Sequence, residues 1–217
     1  YYFVEKRFSF NKTYKISLQQ VIRTGGSWDP AGHMFDITAK NDIEIYAFEI
    51  MYSGTTFSGE TLEFIYPEIY SKRGTWIGSQ FSKEAWMENR GPNPFPVVIP
   101  NVTGCLPPLE DEIFLDIPIR IKAGETVGIY ITLQKAAQLW MRPATNYVKR
   151  RWESVGFPFV ENSDIALRAG VAPEYPFGLY IDFMGWPAYF IGRGKYNYGV
   201  QCDLNSQCND GNSNTSD

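Results

Sequence analysis

The sequence predicts an all-β protein, an antiparallel β-sandwich of jelly-roll type. Three observations lead there. Apolar and polar residues alternate at period two through most of the chain, the pattern of strands whose successive side chains point to opposite faces. No run of ten or more residues carries a helical apolar stripe. The 19 glycines and 14 prolines are spread between the alternating runs, as the turns of a sandwich require. With 44% hydrophobic and 16% aromatic residues in 217, the chain has ample material for a core.

Strands are expected first over residues 2–10, 14–23, 33–39, 43–52 and 62–71. The run 43–52 changes phase near residues 46–48, which implies a bulge or burial on both faces. Residues 82–89 can close a helical turn or two, with Ser82 as N-cap and Gly91 and Pro92 as the stop. The clearest alternation sets Ile113, Leu115, Ile117, Ile119 and Ile121 on one face and Glu112, Phe114, Asp116, Pro118, Arg120 and Lys122 on the other. Pro118 has no N–H to give to a ladder, so this strand lies at an edge or bulges there. The turn at Lys122, Ala123, Gly124 and Glu125 leads into Val127, Ile129, Ile131 and Leu133, and the two runs are expected to pair as a hairpin. Further strands are expected over 139–142, 165–171 and 188–198. Eight or more strands in two packed sheets suit a jelly roll. Residues 1–200 form that module; the polar stretch 201–217 is a linker or the start of a cysteine-rich module.

Compartment is read from sequons and cysteines. Asn11, Asn101 and Asn214 each head an Asn-x-Ser/Thr sequence without an intervening proline, the acceptor pattern for N-glycans on surface loops of secreted chains. Cys105, Cys202 and Cys208 are the disulfide candidates, and an odd count outside the cell implies a partner beyond the segment. The spacing of Cys202 and Cys208 in a polar tail looks like the opening of a module of the epidermal-growth-factor type, with a linker carrying one local disulfide as the alternative. The start at Tyr1, without Met or a signal peptide, reads as a mature or excised N-terminus. The expected location is extracellular or at the cell surface.

Several function classes lack their residues. The net charge of −4 and a longest basic run of only Lys149, Arg150 and Arg151 leave no cationic face for nucleic acid. No stretch of about 18 apolar residues exists, so no membrane span is expected. His33 is the only histidine and no nucleophile elbow surrounds a serine, so a Ser/His triad and a His-rich zinc site have no material. His33 is expected to be a strand residue. A glycosidase needs only two facing carboxylates, but nothing singles out a pair among 24 acidic residues. No catalytic residue and no cofactor are assigned. Asp36, Asp42 (with Asn41) and Asp164 (with Glu161) are calcium-ligand candidates, with turn formation as the alternative reading. Among the tryptophans in loop-like segments, Trp28, Trp76 and Trp140 are candidates for ligand or interface contact, with core packing as the alternative.

Two sets of blocks carry a family resemblance. Residues 32–39 (GHMFDITA), 42–45 (DIEI), 68–74 (EIYSKRG) and Ala85 with Trp86 form the first. Residues 121–131 (IKAGETVGIYI), 163–171 (SDIALRAGV) and 175–178 (YPFG) form the second. In order and spacing, over roughly residues 25–198, they resemble secreted β-sandwich modules of large extracellular proteins from marine bacteria and algae. The resemblance implies a module placed beside adhesive or cysteine-rich modules, without assigned catalytic residues. Gly74, Gly124, Gly170 and Gly178 in these blocks are expected at turns or bulges.

The leading functional expectation is a non-catalytic structural or adhesive module of an extracellular glycoprotein, in contact with other copies or modules of a cell-surface or fibrous assembly. A polysaccharide-binding module using loop tryptophans comes second. A polysaccharide-active enzyme comes third.

Overall fold

The computed structural model describes residues 12–13, 31–56, 60–91, 96–99, 109–134, 137–139, 141–143, 156, 158–173, 177, 188–190 and 192–198. Their strands are β1 (Lys12–Thr13), β2 (Gly32–Ala39), β3 (Ile43–Thr56), β4 (Phe64–Ile65), β5 (Pro67–Arg73), β6 (Met87–Arg90), β7 (Val97–Val98), β8 (Leu109–Ile121), β9 (Thr126–Leu133), β10 (Ala137–Leu139), β11 (Met141–Pro143), β12 (Pro158–Glu161), β13 (Ile165–Val171), β14 (Ala188–Phe190) and β15 (Gly192–Tyr198). Five strands form one sheet, in the order β1-β15-β3-β10 with β8 also on β3. Eight form the other, in the order β11-β14-β13-β2-β9-β5-β6 with β12 on β13, while β4 and β7 make a separate pair. The named pairings are antiparallel.

The protein is an all-β, antiparallel sandwich-like fold, as the period-two pattern predicts. Its core lies between the sheets: Phe35 and Ile37 of β2, Ile69 of β5, and Ile129 and Ile131 of β9 meet Ile45, Phe48 and Ile50 of β3, Ile119 and Ile121 of β8, and Tyr196 of β15. Each such buried side chain contributes about 1.5–3 kcal/mol. The winding is jelly-roll-like, because β2, β3, β5, β8 and β9 alternate between the two sheets in chain order. Among the described residues no helix is long and apolar enough to cross a membrane.

The expected β8–β9 hairpin does not form. β8 pairs with β3 in one sheet, and β9 lies between β2 and β5 in the other. The turn between them crosses from sheet to sheet beside the β2–β3 connection. Gly124 N–H donates to Ala39 O at 2.8 Å, Ala39 N–H to Glu125 O at 3.0 Å, and Ala123 N–H to the Asp42 carboxylate at 2.8 Å. Alternation reports which face of a strand is core, not which sheet holds it. β9 is buried on both faces and needs a central place, whereas β8, with Pro118, suits an edge.

The phase change in β3 and the proline in β8 are two sides of one irregularity. Ile45 opposes Ile119 and Ala47 opposes Phe114, so β8 spends five steps where β3 spends two. The surplus is looped out around residues 115–118. On the other side of β3, Tyr196 faces Ile45 and Lys195 faces Ala47, which makes Tyr46 a one-residue bulge.

Other boundaries differ from expectation. The run 188–198 divides at residue 191, with β14 in the eight-stranded sheet and β15 in the five-stranded one; the run 139–142 divides in the same way at residue 140. The 62–71 run breaks into β4 and β5 at Tyr66. Residues 82–89 hold one 3-10 turn, Lys83–Ala85, and then strand β6. Ser82 caps no backbone N–H there, and so short a segment cannot offset the cost of helix nucleation. β1, β6, β7 and β12 are not among the expected strands, and β1 falls where a turn is expected between the runs 2–10 and 14–23. Expected strands 2–10 and 14–23, and the tail 201–217, lie outside the described residues.

A second apolar layer covers the outer face of the eight-stranded sheet. Met34, Tyr70, Trp76, Trp86, Tyr130, Val171 and Phe177 pack there, with the Tyr70 and Tyr130 rings stacked at 5.8 Å and Phe177 edge-on to Tyr130 at 4.9 Å. Residues 74–86 supply the two tryptophans. They can lie against β9 because residue 128 is glycine: a Cβ there would sit 2.8 Å from the Trp76 backbone nitrogen.

Candidate binding cleft at the β6–β8 seam

β6 ends the strand path of one sheet, and β8 has β3 as its single ladder partner among the described residues. The two edges meet on the same side of the sandwich and are joined by side chains. Asn89 Nδ2 donates to Ile117 O at 2.9 Å, and an Arg90 guanidinium N–H donates to Phe114 O at 2.7 Å. These two buried residues therefore satisfy carbonyls on either side of the β8 loop-out, where the β3 ladder is interrupted. Burial pulls Arg90 below its ordinary value, opposed by the charge of Asp116.

Along this seam opens a cleft of about 530 Å³. Its floor is apolar, from Ala85, Met87, Pro118, Ile119 and Val127. Its ionisable lining residues are all cations: Lys72 and Arg73 at the end of β5, and Arg120 on β8. Arg73 pairs with Glu125, and Arg120 Nε donates to Glu44 at 2.7 Å; their side chains are 67% and 60% exposed. Lys72 Nζ donates to the carbonyls of Arg73 at 3.2 Å and Thr75 at 2.6 Å. The seam also exposes Met87 (49%), Ile117 (50%) and Phe114 (57%).

A second polar cluster crosses the five-stranded sheet. Glu49 on β3 opposes Arg193 on β15 and Glu112 on β8. Arg193 donates to Glu49 at 3.0 Å and lies 3.4 Å from Glu110, while Lys195 pairs with Glu112. Burial, and then the hydrogen bond and charge of Glu110, push the Glu49 carboxyl up to about 7.

This cluster sets a pH dependence. The folded carboxyl keeps its proton up to about 7, while the ordinary carboxyl releases it near 4.5. Between those values the native state binds more protons than the unfolded one, so this group's stabilising effect is lost as pH rises through the window. Glu49→Gln is expected to gain on the wild type by on the order of 1 kcal/mol between about pH 5 and about pH 8. Thermal unfolding of both proteins across that range checks it; a constant difference would contradict it.

The structure redistributes the residues singled out by sequence. Trp76 is fully buried in the outer aromatic layer and does not offer its indole to a ligand. The glycines and polar residues around it mark a tight turn, and a turn can fold inward onto a sheet as readily as outward. Trp86 is buried too, its indole N–H donating to Ser79 O at 2.9 Å. Asp36 accepts from the Thr75 hydroxyl at 2.7 Å and the Trp76 N–H at 3.0 Å, so it fastens the turn that carries Trp76; burial raises its pKa. Asp42 accepts the Ala123 N–H. Asp164 accepts from the Tyr196 hydroxyl at 3.0 Å and from Asn41 at 3.2 Å. All three carboxylates thus serve as acceptors that fix turns and strands, and among the described residues no three His, Cys, Asp or Glu side chains gather as metal ligands. His33 is a buried residue of β2, stacked on Phe35 at 5.2 Å. Trp28, Trp140, Asn11, Asn101, Asn214, Cys105, Cys202 and Cys208 lie outside the described residues.

Sequence reasoning missed the cleft and the Glu49 cluster. Pro118 signals the edge, but nothing local places Lys72 and Arg73 opposite Arg120, since that approach depends on how the two sheets pack. No family model matches the chain and no curated protein matches it.

Proposed function

We propose that the chain is a non-catalytic structural or adhesive module of an extracellular glycoprotein, contributing to a cell-surface or fibrous assembly. The observation that carries this reading is the β6–β8 seam, where two sheet edges lie together and Met87, Phe114 and Ile117 are half exposed. Exposed apolar side chains grouped at an edge are the material of a protein interface. The two packed apolar layers support the reading, because a structural or adhesive part needs a fixed shape more than a moving one. The sequons and the family resemblance support the extracellular placement.

Chemical cross-linking of the native extracellular material tests it. Cross-links from Lys72, Lys83 and Lys122, which flank the seam, are expected to reach neighbouring copies or modules, and Phe114→Asp with Ile117→Asp is expected to abolish them. Native material that is strictly monomeric, with cross-links only inside one module, overturns the proposal.

A further inference from the structure

We propose that the cleft between β5, β6 and β8 binds an anionic polysaccharide, a chain carrying uronate carboxylates or sulfate esters. The inference goes beyond the assembly reading, with which it shares Met87 and Lys72 of the seam, and rests on the charge and shape of the cleft. The chain as a whole is acidic, with a net charge of −4. Yet each ionisable residue lining the cleft is a cation, and Lys72 makes no ion pair among the described residues. The carboxylates that hold Arg73 and Arg120, Glu125 and Glu44, do so in exposed pairs. Such pairs are worth about 0–1 kcal/mol, so a ligand anion can take up the guanidinium N–H groups at little cost. Guanidinium forks match the planar oxygens of a carboxylate or the tripod of a sulfate ester.

The apolar floor fits the rest of a sugar chain. Ala85, Met87 and Pro118, all exposed, offer surface to the C–H faces of pyranose rings, while the cations along the rim meet the acidic substituents. The volume of about 530 Å³ lies in the range of small-ligand sites and suits a short stretch of a longer polymer. An acidic peptide would most naturally add as a strand to the β8 edge, but Pro118 removes an N–H donor there and the chain around it is looped out. Recognition in this cleft therefore runs through side chains, which favours a ligand without a backbone ladder.

Binding of the full chain to polygalacturonate, dextran sulfate, neutral dextran and poly-glutamate, measured by calorimetry at low ionic strength, tests the proposal. Polygalacturonate or dextran sulfate is expected to bind and to weaken as salt is added. Lys72→Gln, Arg73→Gln and Arg120→Gln should each weaken binding by about three- to tenfold. Met87→Glu, which places a carboxylate on the floor, should weaken it at least as much. Lys40→Gln, outside the cleft, should bind as the wild type does. These side chains are exposed or partly exposed, and thermal unfolding confirms that each variant is folded. Absence of binding to both acidic polysaccharides, equal binding of neutral dextran, or wild-type affinity in the three cation variants overturns the proposal. Poly-glutamate bound more tightly than either polysaccharide, and lost in the same variants, overturns it in favour of an acidic peptide.

Discussion

Gly170→Ala is expected to prevent stable folding, with a loss of about 4 kcal/mol or more. β13 spends three residues, from Arg168 to Val171, where β2 spends two, from Asp36 to Met34, and Gly170 sits in that bulge. A Cβ at Gly170 would lie 1.7 Å from Met34 O, 2.6 Å from Met34 C and 2.8 Å from Phe35 Cα. All three obstacles are backbone atoms of a central strand, so no side-chain rotation relieves them. The fitting comparison is Gly78→Ala, at a φ of +85° with open space around the position, where left-handed strain alone costs about 1 kcal/mol. Chemical denaturation of the two variants against the wild type measures the contrast. A Gly170→Ala protein within about 1 kcal/mol of the wild type would contradict the β13–β2 register.

Trp76→Ala is the second large effect, a loss of about 3–5 kcal/mol. The indole is fully buried among Met34, Tyr70, Trp86, Tyr130, Val171 and Phe177, and its removal leaves a cavity against the outer face of the eight-stranded sheet. Ile77→Ala, one residue on and half exposed, should cost under about 0.5 kcal/mol. The pair also separates two roles for Trp76. A side chain that served as a surface platform for a ligand could be removed with little change in unfolding, whereas a core residue cannot. Loss of near-ultraviolet circular dichroism together with a lowered melting temperature is the expected signature.

The glycines show how a residue type can be legible while its reason is not. Gly74 and Gly124 adopt φ of +75° and +83°, the left-handed turn conformation expected of them. Gly170 is at a bulge, also as expected, but there the requirement is closeness to the backbone of a neighbouring strand, not an unusual φ. Gly178 lies outside the described residues. Asp36 is a similar case. With Asn41 and Asp42 it is a candidate calcium ligand by sequence, yet its carboxylate is spent on Thr75 and Trp76, residues about forty positions away that pack onto it only in the folded chain.

What the sequence by itself determined is local. Period-two alternation set the strand faces, and so the all-β class and most of the core, because burial acts on each side chain through its own strand. Pro118 and the phase change near Tyr46 marked an interrupted ladder, because a missing N–H and a shifted alternation are properties of single segments. Only the tertiary structure decided that β8 and β9 part into different sheets, that a second aromatic layer hides Trp76, and that Lys72, Arg73 and Arg120 converge on one cleft. Those outcomes depend on which strand edges meet and which faces stack across tens of residues, and alternation along a strand carries no record of its distant neighbours.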